Sequence, residues 1–450
     1  MRIPIETFTL GNGLRVTLSE DHTAPIVAVN LWYHVGSANE RPGRTGFAHL
    51  FEHMLFQGSE NVGSNEHFEL IQRAGGTLNG STWLDRTNYY ETVPSHQFAL
   101  ALWLESDRMG RLLPAMTQQK LDTQRDVVKN ERRWSVDNQP YGTWWERIPA
   151  LAFPSTHPFH HSLIGSMEDL TAASLDDVRQ FFATYYTPDN AVLTIAGDFD
   201  PVEAKALVER YFGPIPRGRG KPPLPDLSLP ARFDRPPRVI VPDDVRVPRV
   251  YIAIRSPAYG SDGYYVASVA AAVLGLKKGS RLHRSLVRDR QLASEANAFT
   301  FDLAKGTDLL IVDVTARPGT SAEDLERAVV EEIDRFTGAE GASDAETVTE
   351  AGIVTEAEIE RAVALIETEF VSSLQSAGDR ADKLSMFATY LGDPERINTH
   401  VDRYRAVTAA DVARFARERL GPAHRATLVY VPRSPEGAEV ESHDLATADV

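Results

Sequence analysis

Gly46-Phe-Ala-His49-Leu-Phe-Glu52-His53-Met-Leu-Phe-Gln-Gly58 is an apolar run interrupted by three ionisable side chains. It reads as a helix, and two histidines four residues apart lie on one face of a helix, one turn from each other. Glu52 flanks the same face. Burying His49, Glu52 and His53 among Phe47, Leu50, Phe51, Met54, Leu55 and Phe56 is costly without a partner. A metal ion held by both imidazoles is the partner this spacing suits. The order is H-x-x-E-H, the inverse of H-E-x-x-H. A carboxylate beside the second histidine reaches a metal-bound water without being a ligand itself.

The composition narrows the metal. There is no cysteine, so thiolate sites, disulfides and thiol catalysis are excluded and any site uses His and carboxylate, as a hydrolytic zinc site can. The 450 residues suit two or three domains, and 42% apolar content is ample for large cores. A net charge of −16 without a basic stripe excludes a nucleic-acid partner. The stretch from Met1 to Leu10 has no apolar core of signal-peptide length, and no run is long enough to span a membrane. The expectation is a cytoplasmic protein with no membrane partner.

Working outward, nine prolines fall between Pro214 and Pro242 and divide the chain nearly in half. Proline neither donates to a ladder nor continues a helix, so residues 216–245 read as an extended linker. The halves resemble each other. Asp177, Val178, Phe181 and Pro188 map onto Asp411, Val412, Phe415 and Pro422 with one constant offset, and an apolar strand follows each set. Ser174 and Thr408, each three residues before an Asp, are helix caps. Pro25–Trp32 and Pro248–Ile254 match as early strands. An internal duplication follows, and strands mixed with long helices without strict alternation make the fold class α+β, with mostly antiparallel sheet in each half. The expected division is 1–215, a metal-bearing domain; 216–245, the linker; 246–433, a second domain without the motif; and 434–450, a disordered tail. The acidic, small-residue stretch 339–352 reads as a mobile insertion before a helix capped by Thr355 and Glu358.

A catalytic zinc takes three protein ligands and keeps a fourth position open. His157, His160 and His161 cluster in a Pro-rich turn without ligand spacing. Glu131, in Gln124-Arg-Asp-Val-Val-Lys-Asn-Glu131, is the better third ligand, one turn from Val127 and Val128 on the buried side of its helix. Taken alone, it also fits a solvated helix face.

Four pieces in order resemble the pitrilysin/insulinase family of zinc peptidases, and within it the half-length branch that includes mitochondrial processing peptidase. They are the H-x-x-E-H helix, Gly75-Gly76-Thr-Leu-Asn79-Gly80-Ser81-Thr82, Arg125–Glu131, and Tyr186–Asn190 leading to Gly197-Asp198. The resemblance spans nearly the whole chain. It implies one Zn2+ on His49, His53 and Glu131, with Glu52 as general base. It also implies a peptide substrate added as an extra strand along Asn79, Gly80 and Ser81, and a second such molecule closing a chamber around it.

Two positions depart from the family pattern. A second Glu often stands seven residues before the third ligand, and here that position is Gln124, which hydrogen-bonds but carries no charge. Active members also commonly carry an Arg and, seven residues on, a Tyr that bind substrate and support the oxyanion. Here Val287 and Ser294 occupy those places. The sequence therefore reads as the zinc-bearing catalytic subunit of a two-subunit metalloendopeptidase whose homologous partner supplies the Arg/Tyr pair. A self-sufficient homodimer is the alternative within the same class. A non-catalytic scaffold is the alternative from another class, and the intact metal motif argues against it.

Overall fold

The computed structural model describes residues 2–220, 222–223, 225–338 and 354–433. The expected insertion 339–352 and the tail 434–450 lie outside the described residues. Two sheets organise the chain. The first has six strands in the order β1 (Glu6–Thr9), β2 (Arg15–Glu20), β6 (Ala191–Gly197), β3 (Ile26–Tyr33), β5 (Thr87–Pro94), β4 (Thr77–Thr82). The second has five, in the order β7 (Arg238–Asp243), β11 (Arg425–Pro432), β8 (Arg249–Pro257), β10 (Thr307–Ala316), β9 (Ala293–Thr300). From β2 onward the first sheet repeats as the second, strand for strand. Each opens with one parallel pair, β2 with β6 and β7 with β11, and every other pairing is antiparallel. A helix packs behind each sheet in matching places, so the architecture is α+β built twice.

The local signals behind the duplication are all in place. Helices Leu175–Tyr185 and Ala409–Arg419 each start in a reciprocal capping box, Ser174 with Asp177 and Thr408 with Asp411. Each is followed by a one-turn proline-led helix, Pro188–Asn190 or Pro422–His424, and then by a central strand, β6 or β11. The proline-rich stretch holds more than a connection. Its last part, Arg238–Asp243, is β7, the counterpart of β2. Proline is tolerated there because β7 is an edge strand paired only with β11.

The halves exchange helices. Helix Ala377–Tyr390, from the second half, lies across β3 and β6 of the first sheet. Ala377 and Ala381 meet Ala28 and Ala196, small residues that let helix and sheet approach closely. Asp382 accepts hydrogen bonds from Trp32 Nε1 (2.9 Å) and Asn88 Nδ2 (3.1 Å), and Arg380 pairs with Asp21 at 2.7 Å. In return, helix Trp144–Ala152 packs on β8 and β11. Arg255 Nε donates to the Ala152 carbonyl at 2.7 Å, and the Thr143 and Tyr430 hydroxyls bond at 2.7 Å. Three main clusters of buried apolar side chains result: one behind each sheet, and one where the first half's helix meets the second sheet.

Candidate metal centre

The motif helix spans Phe47–Met54 and buries Phe47, Ala48, Leu50, Phe51 and Met54. Each large apolar side chain buried there contributes about 1.5–3 kcal/mol, which fixes the helix roll and leaves His49, Glu52 and His53 on the other side. The helix begins at Gly46 with φ +84° and no side-chain cap. A Cβ at Gly46 would stand 2.6 Å from the Ile164 carbonyl oxygen, so the close approach needs glycine. The missing cap comes from six residues upstream. The carboxylate of Glu40 accepts the backbone N–H of Gly46 at 2.9 Å and of Ala48 at 2.7 Å. Burial pushes the Glu40 pKa well up, against these backbone donors.

Glu131 arrives on a second helix, Gln118–Arg132, capped by Thr117. Its Oε2 lies 3.1 Å from His53 Nε2 and its Oε1 3.6 Å from His49 Nε2. One ligand atom from each of the three residues lies within 4.8 Å of the others. Ligand atoms about 2.0–2.2 Å from a tetrahedral zinc are separated by roughly 3.3–3.6 Å, so the residues present fit such an ion. Burial lowers the His49 pKa to about 4, with His53 adding to the effect and Glu131 opposing it, so the imidazole is neutral at pH 7. The hydrogen bond from His53 holds Glu131 below the usual carboxylate range. Neutral imidazole and ionised carboxylate are the ligand forms a divalent cation needs. His49 Nδ1 is buried and has no hydrogen-bond partner.

Glu52 takes a different setting. Its Oε2 accepts the Thr82 hydroxyl at 2.6 Å, and burial raises its pKa while that bond, His53 and Arg86 oppose the rise. Thr82 ends β4, an edge strand of the first sheet that pairs only with β5 among the described residues, and the motif helix packs beside that strand. At Gly80 an added Cβ would stand 3.2 Å from Glu52 Cγ and from Phe56, so the strand approaches the carboxylate closely only because no side chain intervenes. Asn79, Gly80 and Ser81 lie along this edge. The Ser81 carbonyl accepts from Arg86 at 2.9 Å.

Some expectations shift in detail. Gln124 is buried on the Glu131 helix, two turns before Glu131. Val128 is buried as expected, but Val127 is 42% exposed, because the helix shows only one narrow stripe to the core. Val287 is a partly buried core residue whose carbonyl accepts from Arg317 (3.2 Å). Ser294 turns its hydroxyl onto the carbonyls of Thr315 and Ala316 (3.3 and 3.2 Å). Arg288 is spent on its neighbour Asp289. Sequence reasoning missed Glu40 and Thr82. An acidic residue just ahead of an uncapped helix was the available signal for the first, and Thr82 stands at the end of a recognised stretch.

A second set of possible ligands, His67, Glu91 and Glu105, is fully buried. Arg108 already occupies its centre, paired with Glu105, 3.9 Å from Glu91, and 4.2 Å above the Tyr89 ring. A guanidinium there disfavours a further cation. In the second half, Glu369 follows its helix cap, Thr355, by the interval that separates Glu131 from Thr117. It pairs with Lys277 Nζ at 2.8 Å. An ammonium thus stands against the second half's counterpart of Glu131.

Residues 15–157 match the family described as insulinase (peptidase family M16), and residues 172–366 match the peptidase M16 inactive domain. The chain is 28% identical to the zinc protease PqqE of Helicobacter pylori over 417 residues, 92% of this chain and 89% of that protein. It is 25% identical to the probable mitochondrial-processing peptidase subunit beta of Schizosaccharomyces pombe, over 92% of this chain and 88% of that one. The crystal structure of a protease from Helicobacter pylori superposes with a TM-score of 0.86 at 26% identity, covering 96% of this chain and 100% of that chain. Among the described residues no helix is long and apolar enough to cross a membrane. With its two halves matched in order by the two domains of one family, and with curated relatives named zinc proteases along most of its length, the chain belongs to the M16, or insulinase, family of peptidases.

Proposed function

We propose that the chain is the catalytic subunit of a zinc metalloendopeptidase that cleaves extended peptides inside a chamber closed by a second subunit. His49, His53 and Glu131 hold one zinc ion and Glu52 is the general base. The observation that carries the reading is the convergence of two imidazoles and a carboxylate from two helices, their ligand atoms within 4.8 Å of one another, with a second carboxylate, Glu52, on the helix that carries the histidines. Zinc in such a site polarises the scissile carbonyl and acidifies water. The peptide adds to the free edge of β4 at Asn79–Ser81, its main chain paired as a further strand. Glu52, oriented by Thr82, takes the proton of the attacking water and passes it to the leaving amine nitrogen. Its burial-raised pKa suits both transfers. Val287 and Ser294 offer no donor to the oxyanion, so the homologous partner supplies the Arg/Tyr pair.

Metal analysis and peptide hydrolysis test this together. Purified protein should carry about one zinc per chain. His49→Ala, His53→Ala and Glu131→Gln should each lower occupancy sharply, whereas Glu52→Gln should keep zinc and lose hydrolysis. Full zinc in Glu131→Gln would remove that residue from the ligand set. Undiminished hydrolysis by Glu52→Gln would end the proposed mechanism.

A further inference from the structure

We propose that Asp382 and Tyr390, on the helix that the second half lays across the first sheet, are positioning residues for peptide hydrolysis: they hold the hairpin of β4 and β5, and through Thr82 they fix the direction of the Glu52 carboxylate. This rests on the peptidase reading above and extends its machinery into the half without the metal ligands. Thr82 and Thr87 are the last pair of the hairpin. Residues 83–86 form its turn, closed by the Trp83 N–H on the Arg86 carbonyl at 2.8 Å. A shift of the turn therefore moves Thr82, whose hydroxyl holds Glu52 at 2.6 Å.

The first half supports one side of the turn through its backbone. The Ala38 N–H donates to the Leu84 carbonyl at 2.7 Å, and a Cβ at Gly36 would stand 2.2 Å from the Trp83 carbonyl oxygen. The second half grips it with side chains. The Tyr390 hydroxyl donates to Asp85, which is fully buried. About two turns earlier on the same helix, Asp382 accepts from Asn88 Nδ2 at 3.1 Å. The Asn88 Oδ1 is thereby left to accept from the Ser81 hydroxyl at 2.6 Å and from Arg86 Nη1 at 2.9 Å. Asp382 sets which way this buried amide points, since the reverse orientation would put its NH2 against two donors. Successive residues of a strand face opposite sides, so Ser81 is held from the side of the second half's helix while its neighbour Thr82 turns to Glu52. A reacting group displaced by about 1 Å can lose roughly a hundredfold in rate.

Turnover is measured on the full chain, alone or with a co-expressed homologue, whichever is faster. Tyr390→Phe, which removes only a hydroxyl, and Asp382→Ala should each lower kcat per zinc-loaded chain about 10-fold with zinc content unchanged. Asp382→Asn keeps a carbonyl oxygen for Asn88 and should recover most of the loss. In a Thr82→Val background Tyr390→Phe should cost almost nothing more, because the contact it acts through is already gone. A purely structural role would lower Tm and the yield of folded protein and leave that cycle additive. Full kcat in both variants, or equal losses with and without Thr82, overturns the assignment. Hydrogen exchange read by mass spectrometry needs no turnover. Amides of residues 78–90 should exchange about 10-fold faster in Tyr390→Phe than in the wild type, and unchanged exchange there also overturns the assignment. A wild type that cleaves no peptide, in a chain whose hairpin does loosen in Tyr390→Phe, would instead sink the peptidase reading.

Discussion

At Gly46 the motif helix begins with its first backbone N–H groups uncapped by any neighbouring side chain, and the Glu40 carboxylate accepts two of them. A glutamine there offers only one oxygen and sets an amide NH2 against a backbone donor. Leaving one buried donor unsatisfied costs about 1–3 kcal/mol. Glu40→Gln should lower stability by that amount in urea unfolding and should also weaken zinc retention, because the end of the helix that carries His49 is freed. An unchanged unfolding curve with unchanged zinc content would show that Gly46 and its surroundings hold the helix end without Glu40. His49, Glu52 and His53 were legible because one helix carries all three at fixed spacing. Glu131 was legible only through resemblance, since on its own helix a carboxylate near the end also looks solvated. Glu40 and Thr82 act through contacts that no periodicity encodes.

Caps were the most readable elements. Thr355 and Glu358 form the predicted reciprocal box, and Arg281 meets Glu358 with two contacts of 2.7 Å. Burial alone would raise the Glu358 pKa, but the Arg281 and Thr355 hydrogen bonds outweigh it and bring the value down to about 2. A folded-state pKa below the unfolded one contributes stability that is fully present above the unfolded value, near 4.5, and is lost as pH falls toward 2. Glu358→Gln should therefore cost about 1–2 kcal/mol at pH 7, given the partly solvated setting. The gap between variant and wild type should narrow as pH drops below about 4.5. Urea titrations at a series of pH values measure it, and a pH-independent gap would assign the loss to the helix cap without the charge. Partner choice was not readable at this scale. The 3.6-residue period of Ala377–Tyr390 announces a buried face but not that the face lies on the other half's sheet. Proline density marked 216–245 as extended and could not distinguish a connection from an edge strand such as β7.

For the molecule as a whole, the groups around Val287 and Ser294 matter most. Both are turned into the second half's own backbone contacts, so this chain offers the oxyanion nothing at those places. Oxyanion stabilisation is often worth ~3–4 kcal/mol, or about two to three decades in rate. The isolated chain should bind zinc yet cleave peptides slowly, and co-expression with a homologue that carries the Arg/Tyr pair should restore turnover. Equal rates for the isolated chain and the mixture would favour the self-sufficient homodimer. The exchange of helices has its own consequence, for what a protease can do to this protein. Arg219 is exposed in the stretch between the halves, and trypsin can nick it there. The nick should run as two bands on a denaturing gel and as one particle of unchanged size in gel filtration. Each fragment would hold a helix that fills the other's sheet, so separation would strip both of part of their interior. Neither fragment expressed alone should be soluble, while the two produced together should complement each other and unfold in a single cooperative transition.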